Sequence, residues 1–239
     1  MLVGVICPDG KTKVSFLECL RCKNDRWCGT REFRFLYLFS RQKLLMDRFR
    51  VSSLCYLDPA REVFYRKFDY YIPINLVHIF TIGHAIHKEY QRAFPPEDCE
   101  VRLEVKFNSY SIKGSADIFH NNILYDIKTV SHDGTGTKWY YKNQLSIYAT
   151  MLEDYYHNPV KQAFIWQINK STGANKLYEV EIDKEVFERA KEVAETAHKC
   201  LQDNSSCELF MNVGDHCRDC FVKDYCNAYK RNKIKMLTT

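Results

Sequence analysis

The stretch Gly114-Ser115-Ala116-Asp117-Ile118-Phe119-His120-Asn121-Asn122-Ile123-Leu124-Tyr125-Asp126-Ile127-Lys128 reads as two strands around a tight turn. Asparagine tolerates positive φ, so Asn121-Asn122 suits a two-residue hairpin loop. On the second strand, Ile123 to Val130, the alternation puts Ile123, Tyr125 and Ile127 on one face and Asp126 and Lys128 on the other. Asp117 falls at the end of the paired strand, close enough to share a cation with Asp126. Two carboxylates make a hard oxygen site suited to Mg2+ or Mn2+. Such an ion lowers the pKa of bound water and neutralises charge on a phosphodiester. Lys128 beside it is placed to orient the water and stabilise charge developing on phosphorus.

Working outward, Val101, Leu103, Val105 and Phe107 alternate with Arg102, Glu104 and Lys106, the period of a half-buried strand. A second strand runs from Ser111 to Phe119. Upstream, Asp58-Pro59 opens a helix through Tyr65, and a helix follows Pro73 through Leu76, Phe80, Gly83, His87 and Tyr90 until Pro95-Pro96. Downstream come a loop from Ser131 to Thr137 and a helix from Trp139 to Leu152. A hairpin then joins 160–169 to 176–182, and Asp183 caps an amphipathic helix with Phe187, Ala190, Ala194, Ala197 and Leu201 inward. This order predicts an α/β core with helical flanks.

Composition bounds the function. A chain of 239 residues, 46% hydrophobic and 27% charged, has the makeup of a globular protein with one core and a small appendage. The net charge of +5 permits a polyanionic partner without demanding one. No apolar run reaches the roughly 20 residues needed to span a bilayer. Met1 to Gly10 lacks the pattern of a secretory signal, so the expected location is cytoplasmic. Eleven cysteines in such a chain point to metal ligation rather than disulfides. They cluster as Cys7, Cys19, Cys22 and Cys28 near the start and Cys217, Cys220 and Cys226 near the finish, both clusters closing in the same C-x2-C-x5-C spacing. Residues 1–30 are polar and short of apolar periodicity. Four thiolates there make a structural Zn2+ the natural staple.

Asp117 with Asp126-x-Lys128 resembles the signature of the PD-(D/E)XK nuclease superfamily, and its neighbours resemble the RecB-like branch. Gly83-x3-His87 is similar to that branch's first motif, which implies His87 as a third ligand of Mg2+ or Mn2+. Gln144-x3-Tyr148 is similar to its last motif. Residues four apart share one helical face, so Gln144 and Tyr148 are both expected to reach substrate or Lys128. The resemblance implies a restriction-endonuclease-like α/β core and an exonuclease acting on single-stranded DNA or DNA ends.

The cysteines resemble those of the iron–sulfur RecB-like exonucleases, above all the CRISPR-associated nucleases of the fourth Cas family. That resemblance implies a [4Fe–4S] cluster on Cys55, Cys217, Cys220 and Cys226, clasping residues 31–239 into one nuclease domain. Cys207, nearer in sequence, would instead complete a local zinc knuckle. The zinc extension of residues 1–30 departs from the family pattern. DNA is the implied partner, with CRISPR adaptation proteins or a repair pathway beside it. Trp139, Tyr140 and Tyr141 are candidates to stack on unpaired bases. The rival expectation is a DNA-binding protein that keeps the fold without the chemistry.

Overall fold

A computed structural model describes residues 2–22, 46–131, 136–203, 209 and 211–226. Cys28, Cys207 and the loop 132–135 lie outside the described residues. The chain divides into two units, one of residues 1–46, 59–82 and 199–239, the other of 47–58 and 83–198.

The larger unit is organised by the asparagine turn. Asn121 and Asn122 both adopt left-handed φ values, 52° and 64°, as a two-residue hairpin with matching twist requires. The strands it joins are Ser111–His120 and Ile123–Val130, which we label β6 and β7 in chain order. Their antiparallel register pairs His120 with Ile123 and Ile118 with Tyr125. Preceding strand β5, Cys99–Lys106, pairs with β6 along its other edge. The short strand β3, Arg48–Arg50, runs parallel to the first residues of β6. Ile112 pairs with both Phe49 of β3 and Val105 of β5, whereas Ile118 pairs with both Cys99 and Tyr125. Strands β3 and β7 therefore share one edge of β6, at opposite ends. Between them β6 and β7 part, and the sheet forks beside Asp117.

β7 continues in parallel pairing with β8, Gln162–Asn169, which pairs antiparallel with β9, Asn175–Glu179. The parallel pair is joined through helix α5, Trp139–Tyr156, as a parallel connection requires. On one sheet face Ile118, Ile127 and Ile168 form a buried cluster against Ile86 and Tyr90 of helix α4, Ile74–Gln91. Each fully buried aliphatic side chain contributes about 1.5–3 kcal/mol, so this face is a firm floor. Asp126 and Lys128, of opposite parity to Ile127, face α5. Helix α6, Glu185–Gln202, buries Val186, Phe187, Ala190, Val193, Ala194 and Ala197, the apolar stripe foreseen from its period.

The smaller unit holds a sheet that local sequence patterns do not reveal. β1, Leu2–Ile6, pairs antiparallel with β2, Lys13–Ser15, and parallel with β4, Tyr70–Pro73. Ser15 and Glu18 form a reciprocal capping box that starts the short helix α1, Phe16–Arg21. Val5, Phe16, Cys19, Ile72, Ile74 and Val77 make a common buried cluster. Residues 2–22 thus share an apolar core with residues 70–77, where the sequence reading supplied only a metal staple. Helix α2, Val51–Leu54, belongs to the larger unit; α3, Pro59–Lys67, belongs to the smaller and starts at Pro59 as expected. Cys200 is engaged in a disulfide, a departure from the expectation that the cysteines serve metal ligation rather than disulfides. Among the described residues no helix is long and apolar enough to cross a membrane.

Candidate active site

Three elements bring the site together. The hairpin register, extended one step past Ile118 and Tyr125, sets Asp117 opposite Asp126. Because the strands have parted there, the Asp117 carboxylate enters the gap and its Oδ2 accepts the Ile127 amide at 2.7 Å. Helix α4 approaches from the Ile127 side. A Cβ on Gly83 would stand 3.0 Å from Thr129 Oγ1, so the missing side chain sets how close the helix lies to β7. One turn further on, His87 Nδ1 stands 3.4 Å from Asp117 Oδ2. From the other face, α5 supplies Gln144 and Tyr148, both buried. The fork is what lets side chains from both faces of the sheet converge.

Asp126 is almost fully buried, with Lys128 Nζ donating to its Oδ1 at 3.0 Å. Its Oδ2 is buried and forms no hydrogen bond among the described residues, although Lys128 Nζ stands 2.8 Å away. Burial pushes the Asp126 carboxyl up to about 6, with the Asp117 charge acting the same way and Lys128 opposing. Burial works against the Lys128 charge too, but Asp126 and Asp117 outweigh it and hold the ammonium above the usual lysine range. Lys128 also donates to Gln144 Oε1 at 3.0 Å and sits 5.0 Å from the Tyr141 ring centroid. Burial, then the two carboxylates, raise the Tyr148 hydroxyl, while its hydrogen bond with Gln144 acts the other way. Gln144 therefore links the lysine to the tyrosine.

Tyr148 is held in turn by Gly114. A Cβ there would lie 2.3 Å from Tyr148 Cε1 and 2.9 Å from Val51 Cγ2. Gly114→Ala should accordingly displace the ring, at about 1–3 kcal/mol, and disturb the Gln144–Lys128 contact with it. A thermal midpoint lowered by roughly 5 °C is expected in a melt monitored by circular dichroism. An unchanged midpoint would contradict this packing.

Behind Asp117 lies support that sequence reading passed over. Gln91, one turn beyond His87 on α4, donates to the Asp117 carbonyl at 3.0 Å and to Glu100 Oε1 at 3.1 Å. Ser115 Oγ donates to Glu100 Oε2 at 2.9 Å. The four-residue spacing from His87 was the available signal.

Two carboxylates and an imidazole are the donor types that suit a hard divalent cation. As they stand, no three His, Cys, Asp or Glu side chains among the described residues are gathered to hold a metal ion. Mg2+ is held by as few as one or two carboxylates with water completing its shell, and Asp117 and Asp126 are carboxylates of that kind facing each other across the hairpin.

The cysteines are placed less tellingly. Cys19 is packed in the apolar cluster of the smaller unit, Cys7 is half-buried and Cys22 is exposed. Cys217 Sγ lies 3.6 Å from His216 Nε2, Cys220 is buried 3.7 Å from the Tyr65 hydroxyl, and Cys226 is half-buried. Cys55, in the larger unit, is buried at the end of α2, where its carbonyl accepts from Asn143 Nδ2 at 3.0 Å. Neither expected cluster is assembled among the described residues.

The forked sheet thus bears a carboxylate pair, a lysine two residues on and a flanking helix glutamine. Residues 75–227 match the family model of the PD-(D/E)XK nuclease superfamily, and the chain belongs to that superfamily. The solved structure of SSO0001 has a similar fold, with a TM-score of 0.53 at 19% identity over 81% of this chain and 92% of the other. A Eubacterium rectale protein described as a candidate exonuclease aligns at TM-score 0.35 and 15% identity over 57% of each chain, a likeness too slight to carry an argument. Comparison with curated proteins gives no match.

Proposed function

We propose that the protein is a metal-dependent deoxyribonuclease that hydrolyses phosphodiester bonds at the fork between β6 and β7. The observation that carries this reading is the chain of contacts that links His87 to Asp117, Asp117 to the β7 backbone beside Asp126, and Asp126 through Lys128 to Gln144. His87, Asp117 and Asp126 would hold Mg2+ or Mn2+. When bound, the ion supplies Lewis acidity and a more acidic water. Lys128 places a positive charge where charge builds on the attacked phosphate. Gln144 fixes that ammonium through its Oε1, and Tyr148, seated on Gly114, fixes Gln144. The basic chain supplies phosphate contacts for binding.

The finer assignments rest on the sequence resemblance: attack on strand ends, preference for single strands, and a place in CRISPR adaptation or repair. End-labelled single- and double-stranded DNA, incubated with Mg2+ or Mn2+, tests the first two. Release of mononucleotides from single strands is the expected pattern. Internal cuts in duplex alone would replace the exonuclease reading with an endonuclease.

Resemblance likewise carries a [4Fe–4S] cluster on Cys55, Cys217, Cys220 and Cys226 and Zn2+ on Cys7, Cys19, Cys22 and Cys28. Protein purified without oxygen is expected to be brown and to contain iron, and Cys220→Ser to lose most of it. Iron content unchanged by that substitution would remove Cys220 from the ligand set.

A further inference from the structure

We propose that Tyr56, Trp139, Tyr140 and Tyr141, together with Lys138 and Lys142, form a stacking platform that receives unpaired bases of the strand cleaved beside Lys128. The inference rests on the nuclease reading and deepens it by naming what selects single strands.

The rings form one continuous aromatic surface. Tyr56 and Tyr140 lie 4.7 Å apart at 33°, Trp139 meets Tyr56 edge-on at 6.4 Å, and Tyr140 meets Tyr141 at 4.7 Å. Trp139 remains 38% exposed, unusual for the largest apolar side chain at the start of a helix packed on a sheet. The surface runs into the site, because Tyr141 is the ring 5.0 Å from Lys128 Nζ. It also carries charge of one sign. Lys138 Nζ stands 5.5 Å from the Tyr140 centroid and 6.0 Å from that of Tyr141, and Lys142 is exposed one turn along.

That charge is misplaced for helix stability. The first turn of α5 contains no acidic residue, and lysines flank it where the helix dipole favours carboxylates. A polyanion at this end turns the unfavourable arrangement into a favourable one. Aromatic faces beside cations bind any base in an unpaired strand, since every base has a π-face, whereas stacked bases of a duplex offer none. The second turn of α5 is tied to the end of α2 by the bond from Asn143 to the Cys55 carbonyl. Such a platform is preorganised, with Trp139 exposed and Tyr56, Tyr140 and Tyr141 half-buried behind it.

The test is binding of fluorescent oligothymidylate, an abasic strand of equal length and a blunt duplex, in chelator so that no cleavage occurs. Trp139→Ala and Tyr140→Ala are each expected to weaken oligothymidylate binding by about 10-fold while changing the abasic strand by less than about 2-fold. Trp139→Phe should restore most of the affinity. Equal weakening on all three ligands, or none on oligothymidylate, would overturn the platform. Wild-type protein that binds oligothymidylate in this aromatic-dependent way yet cuts no DNA with Mn2+ would uphold the platform and sink the nuclease reading instead.

Discussion

Asp126→Ala is expected to reduce DNA cleavage by about 10³-fold or more. The loss combines two effects. In the proposed site the variant takes one carboxylate from a cation that only three protein side chains would hold, and metal-assisted charge stabilisation worth several kcal/mol would go with it. Breaking the buried contact with Lys128 also strands an ammonium, at about 3–5 kcal/mol of stability. Asp126→Asn separates the two, because the amide keeps the shape and one acceptor for Lys128. The Asn variant should melt above the Ala variant though below the wild type, since Lys128 keeps an acceptor but loses its counter-charge, and it should bind Mn2+ weakly by calorimetry and cut almost nothing. Cleavage by Asp126→Asn at the wild-type rate would remove the residue from the chemistry.

Lys128→Ala should fail in a different way. Its ammonium and a divalent cation both seek the Asp126 oxygens, 3.0 Å and 2.8 Å from Nζ. Removing the lysine therefore leaves Mn2+ affinity intact or stronger. Turnover should nevertheless fall by about 10² or more, the usual effect of losing one preorganised charge at a developing anion. DNA affinity should change little, since many phosphate contacts share it. Metal titration and single-turnover cleavage on the same preparation decide the matter. Unaltered turnover, or lost metal binding, would contradict the role given to Lys128.

The placement of the candidate residues was largely legible because its signals are local. Asn121-Asn122 announced the turn, alternation in β5, β6 and β7 announced the faces, and four-residue spacing put Gln144 beside Tyr148. What could not be read depended on pairing between distant segments. The parallel match of β1 with β4 joins residues 67 or 68 positions apart, so neither strand looked like half of a sheet. The fork beside Asp117 arises because β3 and β7 share one edge of β6, which no window of sequence displays. Gly114 was visible as a residue of the motif, but its reason, the Tyr148 ring 2.3 Å from where a Cβ would stand, is tertiary. Cysteine spacing invited metal assignments. The buried Cys19 among aliphatic neighbours shows how a thiol in such a series is also used as a small apolar side chain.

The central claim is that the carboxylates and lysine at the fork hydrolyse DNA with a divalent cation. Its most direct test is cleavage of one end-labelled oligonucleotide by wild-type protein and by Asp126→Asn, each with Mn2+ and with chelator. The account predicts product only for the wild type with Mn2+. Equal product in chelator, or from the Asn variant, would contradict it.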